Sequence, residues 1–184
     1  MALTESNMLS LGVKAPSFSL PNVVSGKTET FDDLKGEKGT LIIFMCNHCP
    51  YVIHILDQFV AWTKKYQSKG INTIGISSNN IKTHPADSPS KMRELSIVKN
   101  FSFPYLYDDS QQVAKHYDAA CTPDLYLFNG ESELVYRGCF DKSRPGNDVE
   151  VTGEDLSHAA NHLLLGKPIS QEQTPSIGCN IKWK

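Results

Sequence analysis

Cys46-Asn47-His48-Cys49 sets two thiols three positions apart with an imidazole between them. The unbroken apolar run Leu41 to Met45 precedes it, and beyond it apolar residues recur every three or four positions. The motif therefore falls where a buried strand turns into a helix. A helix N-terminus gathers unpaired N–H groups and about half a positive charge, which favour a thiolate over a thiol. A cysteine placed there can drop from a pKa of about 8.5 to between about 3.5 and 7.5. The spacing brings the second sulfur one turn on, within disulfide reach of the first. Cys46 is expected to be the exposed attacking sulfur and Cys49 the more buried resolving one. His48 is expected to lend positive charge and raise the oxidising power of the pair. The chemistry this predicts is thiol-disulfide exchange.

The surrounding pattern supplies the elements that would hold such a pair. Thr40–Met45 reads as a central strand buried on both faces. Val52, Ile55, Leu56, Phe59, Trp62 and Tyr66 form one helical stripe, closed by Lys64, Lys65, Lys69 and Gly70. Residues 71–77 read as a second strand, which makes a parallel crossover. Residues 12–20 alternate between two prolines and suggest an edge strand, with a helical turn predicted at 31–34. Residues 79–89 are polar, carry Pro85 and Pro89, and read as an exposed loop, with Ser88 capping a helix to about Lys99. A short helix at 110–116, strands at 124–128 and 134–139 around Asn129-Gly130, and a helix opened by Thr152 complete the pattern. The result is an α/β fold, with 1–166 as one domain and 167–184 as an irregular C-terminal tail packed on it.

Composition removes other classes. The chain has 184 residues, 40% hydrophobic and 21% charged, enough for one core and too apolar for disorder. A net charge of −2 leaves no electrostatic footprint for nucleic acid or acidic lipid. The longest apolar run is five residues, far short of the roughly 20 that span a bilayer. Without a basic and apolar leader at the N-terminus, the expected location is cytoplasmic. Five cysteines cannot all pair within one chain, and in a reducing compartment they read as reactive or buried thiols.

Three features together carry a family resemblance: the Gly12-x-x-Ala15-Pro16-x-Phe18 start, the strand leading into Cys46-x-x-Cys49, and Thr122-Pro123 ahead of a strand. They resemble the thioredoxin-fold redoxins, which include the alkyl hydroperoxide reductase/thiol-specific antioxidant proteins. The resemblance covers about residues 12–165. A soluble branch with a Cys-Asn-His-Cys-Pro motif also matches the tail Gly178-Cys179-Asn180-Ile181-Lys182-Trp183. It implies a thioredoxin fold, a central mixed sheet flanked by helices with an N-terminal extension, and redox catalysis by Cys46 and Cys49 without an organic cofactor or metal. It further implies a cis Pro123, with Thr122 and Pro123 docking the substrate. The partners implied are a disulfide-containing protein, or a small-molecule disulfide or peroxide, and a thiol electron donor. Two departures stand out: Met45 replaces the tryptophan that precedes the pair in thioredoxins, and no buried carboxylate under the second cysteine is evident.

Two other functions compete. Peroxide reduction asks for a threonine three residues before the reactive cysteine and an arginine against it. Position 43 is Ile, and the chain's arginines are Arg93, Arg137 and Arg144. A thiolate site for copper or zinc could draw on Cys46, His48 and Cys49 with Cys121 or Cys179, but a second clustered pair is missing. Cys121 and Cys179 join His48 as accessory candidates, while Cys139 and His54 read as structural. Trp183 is expected to dock the tail and hold Cys179 in place near Cys121.

Overall fold

The computed structural model describes residues 3–184. Its strands are β1 (Leu3–Glu5), β2 (Ser19–Pro21), β3 (Thr28–Thr30), β4 (Gly39–Phe44), β5 (Ile71–Ser77), β6 (Tyr105–Tyr107), β7 (Cys121–Thr122), β8 (Asp124–Asn129), β9 (Leu134–Gly138) and β10 (Ile177–Asn180). Its helices are α1 (Phe31–Leu34), α2 (Pro50–Gln67), α3 (Pro89–Val98), α4 (Gln112–His116) and α5 (Glu154–Leu164).

All six residues of β4 are buried because both of its faces are covered. It lies mid-sheet in the order β6-β5-β4-β8-β9, parallel to β5 and antiparallel to β8. Alternation along the strand feeds two cores. Leu41 and Ile43 pack with Phe59 and Tyr66 of α2 on one face. Ile42 and Phe44 pack with Phe31, Tyr117 and Tyr126 on the other.

Four local expectations are corrected. Only Ser19–Pro21 of the proline-bounded segment is a strand, paired with β3. Helix α2 starts at Pro50, so its N-cap is Cys49, and Cys46 sits in the loop before it. Proline suits that first position because its missing N–H would have no helical acceptor. The segment 79–89 is not an exposed loop throughout: Asn79 and Asp87 are buried. Helix α5 is capped at Gly153 rather than Thr152, with φ +66°. A side chain at Gly153 would run into the Phe140 ring, and the Asp141 carboxylate accepts the Thr152 and Gly153 N–H groups in place of a threonine cap.

The last residues do more than cover core. β10 pairs antiparallel with β1 on one edge and with β7 on the other, setting Cys179 opposite Thr122 and Asn180 opposite Cys121. Trp183 is not the anchor: it is 43% exposed, whereas Cys179 and Ile181 are buried. The Thr122–Pro123 peptide bond is cis. Among the described residues, no helix is long and apolar enough to cross a membrane.

Candidate functional site

β4 ends at Phe44, and the Met45 N–H, bonded to the Ile76 carbonyl at 2.9 Å, carries the sheet edge up to Cys46. From there the chain turns into α2 at Cys49. β7 approaches from the other side, so Thr122 meets both sulfurs. Its hydroxyl lies 3.6 Å from Cys46 Sγ, and its carbonyl accepts from the Cys49 thiol at 3.1 Å. Cys46, Cys49 and Thr122, all named from the sequence, are thus brought together, and Pro123 follows Thr122 through the cis bond. Cys46 is not the exposed sulfur expected of it, however: it is 1% exposed and Cys49 is 0% exposed.

A residue absent from the sequence reading organises the first cysteine. Asp87, fully buried, accepts from the Asn47 backbone N–H at 2.8 Å, from Asn79 Nδ2 at 2.8 Å and from His48 Nδ1 at 2.7 Å. The same His48 nitrogen lies 3.8 Å from Cys46 Sγ, and the ring stacks on His84 with centroids 4.9 Å apart. Tyr105, also buried, donates to Asn47 Oδ1 at 3.2 Å. The signal available in the sequence was the pair Pro85 and Pro89, whose fixed φ angles stiffen the segment that carries Asp87. A buried carboxylate does exist, then, but beside the first cysteine.

These contacts divide the protonation of the pair. A hydrogen bond from Cys46 leads the causes that pull the Cys49 thiol down to about 4, with burial opposing and bonds from Cys179 and Thr122 assisting. Its N-cap position acts in the same direction. The Thr122 carbonyl favours the neutral thiol, but the donors outnumber it. Cys46 is pushed well up by that same bond to Cys49, by burial and by the negative charge of Asp87. These causes favour negative charge on Cys49 over Cys46, whereas the spacing alone assigns the attacking role to Cys46.

Cys179 reaches the pair as well: its thiol hydrogen-bonds to Cys49, and burial together with that bond pushes it up to about 12. Cys121 faces the Pro123 carbonyl at 3.6 Å and is pushed up by burial. Cys139 stands apart, 3.4 Å from Asp155 Oδ2, and His54 is bonded to Ser143 Oγ at 2.7 Å. Arg144 donates to the carbonyls of Asp141 and Ser143 in its own loop. Ligand atoms of Cys46, His48 and Asp87 lie within 4.8 Å of one another. A metal held by His48 Nδ1 and Asp87 would replace the 2.7 Å hydrogen bond between them.

Solved structures with this arrangement of strands and helices identify the fold class. The thioredoxin domain of a thiol-disulfide oxidoreductase from Bacteroides vulgatus matches with a TM-score of 0.62 at 16% identity, covering 83% of this chain and 99% of that one. The fold is thioredoxin-like. The chain belongs to the AhpC/TSA family, whose profile matches residues 11–138. That membership puts it among the antioxidant redoxins, a class of redox enzymes. Alkyl hydroperoxide reductase C of Helicobacter pylori is 27% identical over 160 residues, 82% of this chain and 74% of the relative. An uncharacterised conserved protein from Geobacillus kaustophilus is 47% identical, with a TM-score of 0.98 over 100% of this chain and 97% of that chain.

Proposed function

We propose that the protein is a thiol-disulfide oxidoreductase whose redox couple is Cys46–Cys49, with Cys49 as the attacking thiolate and Cys46 as the resolving thiol. The observation that carries this reading is the convergence of both buried sulfurs on Thr122, at 3.6 and 3.1 Å. Cys49 attacks one sulfur of a disulfide, forming a mixed disulfide and expelling a thiolate. Cys46 then attacks the Cys49 sulfur, closing the intramolecular disulfide and releasing the second thiol, and an external thiol donor restores the pair. Thr122 orients the two sulfurs. Docking of a substrate strand on Thr122 and Pro123 requires β10 to leave, since Cys179 already pairs with Thr122. Burial of both sulfurs therefore favours a small disulfide over a protein one. In this reading 1–166 is the catalytic domain and 167–184 a segment that closes its site, working without organic cofactor or metal in the cytoplasm.

The test is reduction of cystamine by the full chain. Cys49→Ser should abolish thiol release, and alkylation of Cys49 should persist at a pH well below the ordinary thiol range. A Cys46 thiol more acidic than Cys49 would reverse the roles. Unimpaired thiol release by both single variants would remove the function.

A second reading, reduction of a small peroxide, is favoured by the buried thiolate and by family membership. The threonine it asks for is Ile43 relative to Cys46 and Cys46 itself relative to Cys49. The charge acting on Cys46 is the negative one of Asp87 rather than an arginine. Peroxide consumption that outpaces cystamine reduction would promote this reading over the first.

A further inference from the structure

We infer that Cys179 is a second resolving thiol for Cys49, so that the terminal strand can be joined covalently to the start of α2 during turnover. The inference rests on the proposed role of Cys49 and adds a partner for it.

The placement is built from three directions. β10 is held against β7 in a register that sets Cys179 opposite Thr122, the residue whose carbonyl touches Cys49 Sγ. Gly178 allows this approach: a Cβ there would run into the Thr122 carbonyl oxygen, so no other residue lets the two strands come so close. On the far side β1 pairs with the same residue, Leu3 opposite Cys179, closing β10 between two neighbours. Beyond it, Asn79 ties tail to site, because its Oδ1 accepts from the Lys182 N–H at 2.8 Å while its Nδ2 donates to Asp87. Cys46, Cys49 and Cys179 belong to one buried cluster, and the Cys179 thiol hydrogen-bonds to Cys49. Cys49 is thus a central sulfur with a thiol on either side.

The chemistry balances without any further reagent. After Cys49 has attacked a small disulfide it carries R–S–S–Cys49. Cys179 attacks the Cys49 sulfur, the Cys49–S–R bond breaks and the Cys49–Cys179 bond forms. The departing thiolate takes the proton that Cys179 gives up. Two electrons from the protein's thiols have then reduced one substrate disulfide to two thiols, as with Cys46. While Cys49 is a thiolate it holds the Cys179 proton in a hydrogen bond. Once Cys49 is in a disulfide that restraint is gone, and the Lys182 cation remains to favour the Cys179 thiolate.

The experiment treats the reduced full chain with one equivalent of cystamine, quenches by alkylation, and maps disulfides by mass spectrometry while counting thiols released. The wild type should give a Cys49–Cys179 crosslink beside Cys46–Cys49. Cys46→Ser should still release two thiols per chain and carry Cys49–Cys179 as its disulfide. Cys46→Ser/Cys179→Ser should release one and stop at the mixed disulfide, a twofold difference. A Cys46→Ser chain that itself stops at one thiol and a mixed disulfide overturns the inference while leaving the proposed function intact. No thiol release by the wild type overturns the proposed function first. Should Cys46→Ser not fold, the wild-type map decides, and absence of the Cys49–Cys179 crosslink there overturns the inference.

Discussion

His48 turns its Nδ1 toward the Asp87 carboxylate at 2.7 Å, and the same nitrogen is the one that faces Cys46 at 3.8 Å. A proton relay through imidazole needs the two partners on opposite nitrogens. With one nitrogen facing both, the ring is not placed to pass a proton from one nitrogen to the other between carboxylate and thiol. The Asp87 carboxylate 2.7 Å away offsets positive charge on the ring, which works against the gain in oxidising power expected from the spacing. Cys46 is raised first by its bond to Cys49 and by burial, and the Asp87 charge adds in the same direction. Asp87 is therefore a positioning residue: it fixes the loop through Asn47 and places a negative charge that favours the protonated form of Cys46.

Asp87→Asn tests that role. It removes the negative charge while retaining an oxygen able to accept from Asn47. The pH profile of Cys46 alkylation should move to lower pH, and the acidity of Cys49 should weaken as its donor does. Loss of charge-assisted bonds should also cost about 1.5–3 kcal/mol in denaturant unfolding. A folded variant with an unmoved Cys46 profile would remove Asp87 from the electrostatics of the site.

Asp124 gives a pH dependence of opposite origin. Burial pushes its carboxyl up from 3.8 to about 6, although Ala120 N–H and Tyr126 OH both donate to it, at 3.2 and 3.0 Å. The native state thus binds this proton more tightly than the unfolded chain. The stability it contributes is complete below the unfolded pKa and is lost as pH rises through the folded value. From about pH 5 to about pH 8 the loss should be about 1.4 kcal/mol. Asp124→Asn should flatten that part of the stability profile, measured by urea unfolding at each pH. A variant profile parallel to the wild type would assign the slope to other groups.

The strands and long helices were legible because burial on two faces, or on one stripe, forces a period into the sequence. β4 and α2 carry such patterns over six and eighteen residues. β6 and β10 escaped notice because three or four residues give no period, and pairing with distant partners makes them strands. The two cysteines were legible from type and spacing, but their ionisation was not. It depends on where the first helical turn begins and on Asp87, which lies forty residues from the Asn47 it binds. Cys179 could be named a candidate; its approach to Cys49 required the β10–β7 register.

Gly178→Ala probes that register directly. The added methyl would meet the Thr122 backbone, which cannot give way as a flexible side chain can. β10 should lift from β7, taking the Cys179 hydrogen bond from Cys49. Limited proteolysis should cut the tail faster, and Cys49 alkylation should shift to higher pH. The same protease resistance and the same Cys49 profile as wild type would mean that the strands absorb the methyl without separating, and would remove Gly178 from the control of the register.

Ile181 and Trp183 divide the anchoring of the tail unequally. Ile181 is 1% exposed and packs in the core on the β4 face that carries Ile42 and Phe44. Trp183 leaves 43% of its surface to solvent, with Lys115 Nζ 5.9 Å from its ring centroid. Truncating a buried isoleucine removes its transfer free energy and leaves a cavity, together about 2–5 kcal/mol. Peeling of the tail caps that loss, because a chain that releases residues 177–184 no longer bears the cavity. Removing an exposed ring that holds one cation–π contact should cost about 0.5–1 kcal/mol. Ile181→Ala should therefore lower stability in denaturant unfolding more than Trp183→Ala and expose the tail to protease, while Trp183→Ala leaves the tail protected. The Gln111 side chain clamps the backbone between the two residues, donating to the Lys182 carbonyl at 2.9 Å and accepting from the Lys184 N–H at 2.9 Å. That clamp keeps the tail seated when only the tryptophan is lost. A larger loss for Trp183→Ala than for Ile181→Ala would return the anchor to the aromatic ring.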